Sequence, residues 1–349
     1  MESLLRWGIQ NTEPVDPANH TAPAPRKDLD PAILDAILGR PDAEVMKEAM
    51  GKAIDTGLTE EQRITALDDM EMLVESIDNA NDLEKLGIWE QLHTLITTDP
   101  SEKIKTQALW VIGTAVQNNP AAQRAYLGSD PLPTILSFLK PSIRSPQLRS
   151  KAVYTLSGLL KHNAAAVSQL NDNGGWEIFR AALEDSDIGV RRKTAFLLNS
   201  LLIPISEAAP AQRQAGTTAT GATLHPSDSQ ATPSFANSHL AMARDPLSAN
   251  TAPVALKALK DHELLKALVR ALVTPTPHGA NGDEEGDVDL EERIAALLHT
   301  YVEAHNGQFS PEEKKELNEF FAEKRRSADD AEVLGLSSGE LQTLLKAVQ

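Results

Sequence analysis

The chain repeats itself. Setting KTQALWVIGTAVQNNPAAQ (105–123) above RSKAVYTLSGLLKHNAAAV (149–167) puts Ala108 on Ala152, Trp110 on Tyr154, Ile112 on Leu156, Val116 on Leu160 and Asn119 on Asn163, an offset of 44 residues. Further along the same register Leu132, Ile135 and Leu139 meet Trp176, Phe179 and Leu183. A third copy, RRKTAFLLNSLL (191–202), follows at an offset of 42, with Phe196 on Tyr154 and Leu198 on Leu156. Upstream by 42, Ala108-Leu109 lands on Ala66-Leu67 and Ile112 on Met70.

A period of that length, in segments with helical apolar spacing and scarce period-2 alternation, is the length of an armadillo or HEAT unit. One such unit cannot bury its apolar face alone, so neighbours stack into a solenoid. The predicted fold is therefore all-α: an armadillo-like helical-repeat solenoid with disordered insertions. The long final helix of each unit is expected to line the concave face, at about 60–77, 102–118, 146–162 and 189–202. Capping chemistry marks helix starts. Asp30-Pro31 and Ser145-Pro146 place a capping side chain before a proline at the first helical position. Thr59 with Gln62, and Ser337 with Glu340, fit the capping box. Ser310 precedes Pro311 and two acids, which suit the first turn.

Four regions follow. Residues 1–29 read as a flexible N-terminal segment with a short apolar patch, Leu4, Leu5, Trp7 and Ile9. Residues 30–205 form the repeat body. Residues 206–252 are Ala/Thr/Ser/Pro-rich and too poor in large apolar groups to offset chain entropy, which predicts disorder. They interrupt the array where a further repeat should begin. Residues 253–349 read as helices that complete or cap the solenoid.

Composition excludes several functions. The net charge of −17 argues against nucleic acid and anionic membrane surfaces, which select a basic face. With no cysteine there is no thiol nucleophile, disulfide or Cys-ligated zinc. No phosphate-binding glycine loop or nucleophile elbow occurs, and the histidines are scattered without zincin spacing. No catalytic residue, metal or cofactor is expected. The opening MESLLRWGIQNTEP has an acid at position 2 and no apolar core, so it reads as no signal peptide.

The polar run in ESIDNANDLEKLGIW (75–89) fails as a calcium loop, because Ala80 stands where a ligand to an ion at Asp78 is needed. The repeat sets it over Asn118-Asn119 and His162-Asn163, so it is expected to be a joint between units. Asn and Asp suit that place because they cap, turn and tolerate left-handed backbone. This joint is richer in Asp and Asn than its sisters, which adds Asn79 and Asp82 to the candidate contacts beside Asn118 and Asn119.

A basic ladder runs through this acidic protein. Lys105, Arg149 and Arg191 share one repeat position, and Arg63 fits it one unit earlier. Lys151 and Lys193 share a second, with Arg192 between the ladders. Cations in the first turn oppose the helix dipole by a few tenths to about 1 kcal/mol, so something should offset them. One reading is an ion pair with an acid of the preceding unit, such as Glu102, Glu184 or Asp187. The other is a basic stripe for an acidic partner, in which case Arg149→Glu with Arg191→Glu weakens binding and leaves helix content intact. Peptide-binding armadillo solenoids carry an Asn one turn after each ladder Trp. Here Trp110, Tyr154 and Phe196 are followed at that spacing by Thr114, Gly158 and Ser200, so these aromatics read as core or contact residues.

ALDDMEMLVESIDNANDLEKLG (66–87), GTAVQNNPAAQ (113–123), SKAVYTLSGLL (150–160) and RRKTAFLLNSLL (191–202) resemble the armadillo-type nucleotide exchange factors of the heat-shock protein 70 chaperones. The opening MESLLRWGI, with EVMKEAM (44–50), resembles the fungal cytosolic branch of that family. The resemblance implies a cytoplasmic monomer that grips one lobe of the chaperone's ATPase domain. The grip opens the cleft and releases ADP, and client protein follows. It also implies that the Leu4–Ile9 patch can occupy the chaperone's peptide groove; docking on the first repeat is the alternative for that patch. An armadillo adapter for linear motifs is the competing function.

Overall fold

A computed structural model describes residues 40–204, 249–278, 282, 286–327 and 334–349. The Leu4–Ile9 patch, the Asp30-Pro31 cap and most of the 206–252 insertion lie outside the described residues. Residues Asp42–Gln349 form one compact unit, and the description below concerns that unit. It is helical throughout, with no β-strand among the described residues.

A helix pair opens the array, α1 (Asp42–Ile54) and α2 (Glu60–Val74). Three-helix units follow. They are α3 (Ile77–Lys85), α4 (Ile88–Thr98) and α5 (Glu102–Val116); α6 (Pro120–Leu127), α7 (Leu132–Ser137) and α8 (Pro146–Leu160); and α9 (Ala164–Asp172), α10 (Gly175–Ala182) and α11 (Ile188–Leu202). A fourth unit, α12 (Ala252–Asp261), α13 (Leu264–Val273) and α14 (Val288–His305), packs on the third, and α15 (Pro311–Ser327) and α16 (Ser338–Ala347) close the end. Helices α2, α5, α8 and α11 are each 15 residues long and start at the spacing of the sequence repeat. With α14 they stack side by side through extensive helix–helix contacts.

The same chemistry starts every one of these stacked helices. Thr59, Ser101, Ser145, Asp187 and Asp287 each accept an N–H from the residue three positions on, at 3.2, 3.3, 3.2, 3.0 and 2.8 Å. Each cap satisfies one of the amides that a helix N-terminus leaves unpaired. The capping boxes at Thr59 and Ser337 form as expected. Close approach of α5 and α8 depends on Gly113, where a Cβ would lie 2.5 Å from the Tyr154 ring. Thr155 Oγ1 donates to the Leu109 carbonyl across the same contact, at 2.7 Å. The core is a continuous run of Leu, Ile, Val and Ala along the stack, joined by Trp176, Tyr126 and Phe179.

Two joints behave as the sequence predicts. Asn118 and His162 have left-handed backbone, with φ of 49° and 54°. Asn119 and Asn163 then cap α6 and α9 through Ala122 N–H at 3.2 Å and Ala166 N–H at 3.1 Å. The polar run at 75–89 does not. Residues Ile77–Lys85 are the helix α3, and the joint itself is Glu75 and Ser76. Ser76, not the Asp/Asn run, takes the place of Asn119 and Asn163, and it makes no side-chain cap. Asn79 compensates from inside the helix: its amide donates to the Leu73 carbonyl at 2.9 Å and to Asp42 Oδ2 at 2.8 Å. Asp82 pairs with Lys85 at 2.8 Å on the surface.

The array continues across the insertion. Thr251 Oγ1 donates to the Leu201 carbonyl at 2.7 Å, and His305 Nε2 lies 2.6 Å from the Leu202 carbonyl oxygen. The chain therefore resumes against the helix it left.

Candidate functional site

The two basic ladders part company in three dimensions. Residues two apart on a helix lie about 200° apart around its axis. Arg149 and Lys151, or Arg191 and Lys193, therefore face opposite ways.

The arginine register turns inward. Arg63 is 7% exposed; its Nη2 pairs with Asp99 Oδ2 at 2.5 Å and its Nε donates to the Ala53 carbonyl at 2.7 Å. Arg149 is 6% exposed. It makes a bidentate pair with Asp185, at 2.7 and 2.8 Å, and donates to the Ile143 carbonyl at 2.7 Å. Arg191 is buried and donates to the carbonyls of Asp185, Thr276 and Pro277, the last two at 2.7 and 2.9 Å. The partner acids Asp99 and Asp185 precede the long helix of the following unit, so the expected pairing with a preceding-unit acid such as Glu102, Glu184 or Asp187 is corrected. A planar guanidinium in the first turn reaches forward into the next unit's loop, where bidentate geometry rewards it. Arg149 and Arg191 are thus staples of the stack and not exposed contacts. Lys105, in the same register, is half-buried with Nζ 5.9 Å from the centre of the Phe138 ring.

The other register faces outward and carries an aromatic strip. Trp110 is 36% exposed and Phe196 51% exposed, and Tyr154 between them is half-buried. Lys151 Nζ lies 3.4 Å from the centre of the Trp110 ring and 5.1 Å from that of Tyr154. Arg293, from α14, sits 5.6 Å from the centre of the Phe196 ring. Lys193 Nζ donates to Ser150 Oγ at 2.7 Å. Arg192, half-buried, is clamped by Asp287 at 2.8 and 2.5 Å and by Asp289 at 3.1 Å.

The face is polarised along the stack. At its α2 end lie Asp68, Asp69 and Glu71, beside the exposed Met72. Burial, then Asp69 and Glu71, raise the Asp68 carboxyl above its ordinary range. Asp68 accepts from Gln107 Nε2. Glu71 accepts from Thr114 Oγ1 at 2.7 Å, and Thr114 meets the Tyr154 hydroxyl at 3.1 Å. Toward α14 the sign reverses. Burial lowers the Lys193 ammonium, and Arg293 and Arg192 add to that effect against the pull of Asp187.

Of the candidate residues named from sequence, Lys151 and Lys193 come together on this face. Arg192 is engaged at its edge. Asn118 is exposed and accepts from Lys161 Nζ at 3.1 Å, whereas Asn119 is buried in its cap. Asn79 and Asp82 serve α3. Repeat spacing does not reach Arg293, because the insertion breaks the register before α14. Spacing does not tell a core role from a contact role for Trp110, Tyr154 and Phe196, because core and surface aromatics recur at the same period. Among the described residues no cluster of His, Asp and Glu could hold a metal, and no helix is long and apolar enough to cross a membrane.

Two family models match the chain: one described as nucleotide exchange factor Fes1, over residues 1–83, and one described as the SIL1/FES1/HPBP1 C-terminal domain, over residues 79–224. The chain is similar to the Hsp70 nucleotide exchange factor FES1 of Mycosarcoma maydis, at 36% identity over 325 residues, covering 86% of this chain and 82% of that one. It is also similar to the protein of the same description from Kluyveromyces lactis, at 35% identity over 211 residues, covering 59% of this chain and 71% of that one. Among solved structures it resembles the designed armadillo repeat protein YIII(Dq)4CqI, with a TM-score of 0.56 at 13% identity, covering 87% of this chain and 100% of that one. At that identity the likeness speaks for the fold alone.

Proposed function

The chain belongs to the Fes1 family of nucleotide exchange factors, and from that premise we propose that its outward ladder face is the surface with which it grips an Hsp70 chaperone. It is a nucleotide exchange factor for Hsp70. The grip falls on the chaperone's ATPase domain, favours the open cleft, and so releases ADP and then client protein. A factor of this kind needs no catalytic residue; it needs only to bind the open state better than the closed one.

The observation that carries this reading is the strip of exposed Trp110 and Phe196 with half-buried Tyr154 between them, interleaved with Lys151 and Lys193. Trp and Tyr are among the residue types enriched at interface hot spots, whose truncation costs about 2 kcal/mol or more. Moving an equilibrium from 1:99 to 99:1 needs a difference in affinity between the two states of about 5.5 kcal/mol, so the contacts that count are those the strip makes with the open state and loses with the closed one. The acidic end of the face at Asp68 and Glu71 fits a partner surface of mixed charge. Asn118, exposed at the joint after α5, is proposed as a secondary contact, whereas Lys105 lies in the inward register with Arg149 and is not assigned to this face.

A peptide-ladder adapter is disfavoured. It needs a free amide one turn after each aromatic. Thr114 is engaged by Glu71, Gly158 has no side chain, and Ser200 Oγ is buried and donates to the Leu197 carbonyl at 2.7 Å. The proposal extends to a monomer acting in the cytoplasm, with the Leu4–Ile9 patch entering the chaperone's peptide groove. The test is stopped-flow release of a fluorescent ADP from a cytosolic Hsp70. Catalytic amounts of this protein should accelerate release, and a lack of acceleration across cytosolic Hsp70s would sink the reading.

A further inference from the structure

Threonines inside these helices commonly give their hydroxyls to their own backbone. Thr94, Thr106, Thr194 and Thr300 each donate to the carbonyl four residues back, at 2.8, 2.7, 2.8 and 2.9 Å, a bond that a helical threonine makes readily. Thr114 on α5 instead serves two other helices. Its Oγ1 donates to Glu71 Oε1 on α2 at 2.7 Å and meets the Tyr154 hydroxyl on α8 at 3.1 Å. The one hydroxyl hydrogen of Thr114 is committed to the carboxylate, so the second bond runs from the Tyr154 O–H to the threonine oxygen. The chain from Tyr154 through Thr114 to Glu71 thus crosses three stacked helices and ends on a carboxylate, and each bond polarises the next.

Shape places the tyrosine as well. Its ring lies on α5 at Gly113, where a Cβ would be 2.5 Å from the ring carbon Cε1, and its hydroxyl reaches the next residue, Thr114. The centre of that ring is 5.1 Å from Lys151 Nζ, which sits 3.4 Å from the centre of Trp110. The equivalent pairs in the repeat, Trp110 with Met72 and Phe196 with Gly158, have no hydroxyl on either side. The tyrosine and the threonine therefore come together where Lys151 meets two rings.

We infer that Thr114 is a positioning residue for the grip: through Tyr154 and Glu71 it fixes the aromatic seat of Lys151 before a partner arrives. Groups already held in their binding geometry lose less freedom on contact, which strengthens binding without a new contact. The role in binding rests on the proposed function; the fixing of the seat does not.

The test compares Thr114→Val, which keeps the branched shape without the hydroxyl, Thr114→Ser, which keeps the hydroxyl, Tyr154→Phe, and the Val and Phe changes together, each checked for native helix content. Without chaperone, NMR reads the Lys151 ε-methylene protons, which the Trp110 ring should shift upfield of those of the exposed Lys47, Lys140 and Lys346. Thr114→Val and Tyr154→Phe should each move that resonance toward the exposed lysines, and Thr114→Ser should keep it near the wild-type position. A resonance that Thr114→Val leaves in place overturns the inference. In titrations against Hsp70 each of the two single losses should weaken binding by about two- to tenfold, the worth of one hydrogen bond. The double variant should bind no worse than the weaker single one, because both remove the same bond, and effects that multiply contradict the coupling. Thr114→Ser should bind like the wild type. Unchanged affinity in Thr114→Val beside a wild type that binds overturns the positioning role. A wild type that fails to bind Hsp70 counts against the functional reading, and the Lys151 resonance then decides whether Thr114 fixes the seat.

Discussion

Arg149 and Lys151 are two residues apart on one helix and belong to two ladders that look alike in the sequence. One carries its charge into the stack, where Asp185 and the Ile143 carbonyl take up the guanidinium's donors. The other lays its charge on an aromatic face turned to solvent. The difference follows from helix geometry and side-chain chemistry together. Half a turn separates the two positions, and the inward one selects the planar, always-charged group that a buried carboxylate can hold at two points. Periodic charge in this solenoid is therefore two signals, one that holds units together and one that is turned to solvent.

The largest expected effect breaks the inward ladder. Arg149→Ala strands Asp185 in a poorly hydrated site and should cost about 3–5 kcal/mol, measured by urea denaturation. Arg149→Glu with Arg191→Glu should lose helix content outright, because each change places a carboxylate where acids or carbonyls already converge. This replaces the sequence expectation that the pair leaves the fold intact.

Breaking the outward ladder should do the reverse. Lys193→Glu with Phe196→Ala should change stability by no more than about 1 kcal/mol while weakening Hsp70 binding by about 2 kcal/mol or more, as isothermal titration would record. Lys105 sharpens the comparison, since it has the inward register but neither a guanidinium nor a paired acid among the described contacts. Lys105→Ala should cost about 0.5–1 kcal/mol, the worth of an exposed cation–π contact, well below Arg149→Ala in the same denaturation assay.

The smallest effect is a slope against pH. The folded Lys151 ammonium is pushed down to about 8 from its usual 10.5, so between those values the unfolded chain binds more protons than the folded one. Stability from this group should then rise as pH rises from about 8 toward 10.5. Subtracting the curve of Lys151→Gln from that of wild type isolates the term, and a flat difference removes it.

Much of the fold was legible. Alanines and aromatics recurring at 42 and 44 residues placed the stacked helices, and Thr59, Ser145 and Ser337 marked helix starts by side-chain chemistry. The fourth unit was harder. The insertion displaces α14 from the register, and the ladder position there is Glu291, which pairs with Lys324 at 2.5 Å instead of continuing the arginines. The polar run at 75–89 misled because Asp and Asn serve joints and exposed helix faces alike; only Asn79's contact with the Leu73 carbonyl shows which. The site was half legible. Lys151 and Lys193 were named, but nothing in a single ladder position says whether it points at the next unit or at solvent. That is settled by the rotation between residues and by where the next unit's acids fall, and the aromatic strip emerges only once that rotation is known.

The central proposal is that the outward face grips Hsp70 and so speeds nucleotide release. Its most direct test is the rate of fluorescent ADP release from Hsp70 with wild-type protein, and with Lys193→Glu plus Phe196→Ala checked for native helix content. Acceleration by the wild type and its loss in the folded variant are predicted. Equal acceleration by both, or by neither, would contradict the account.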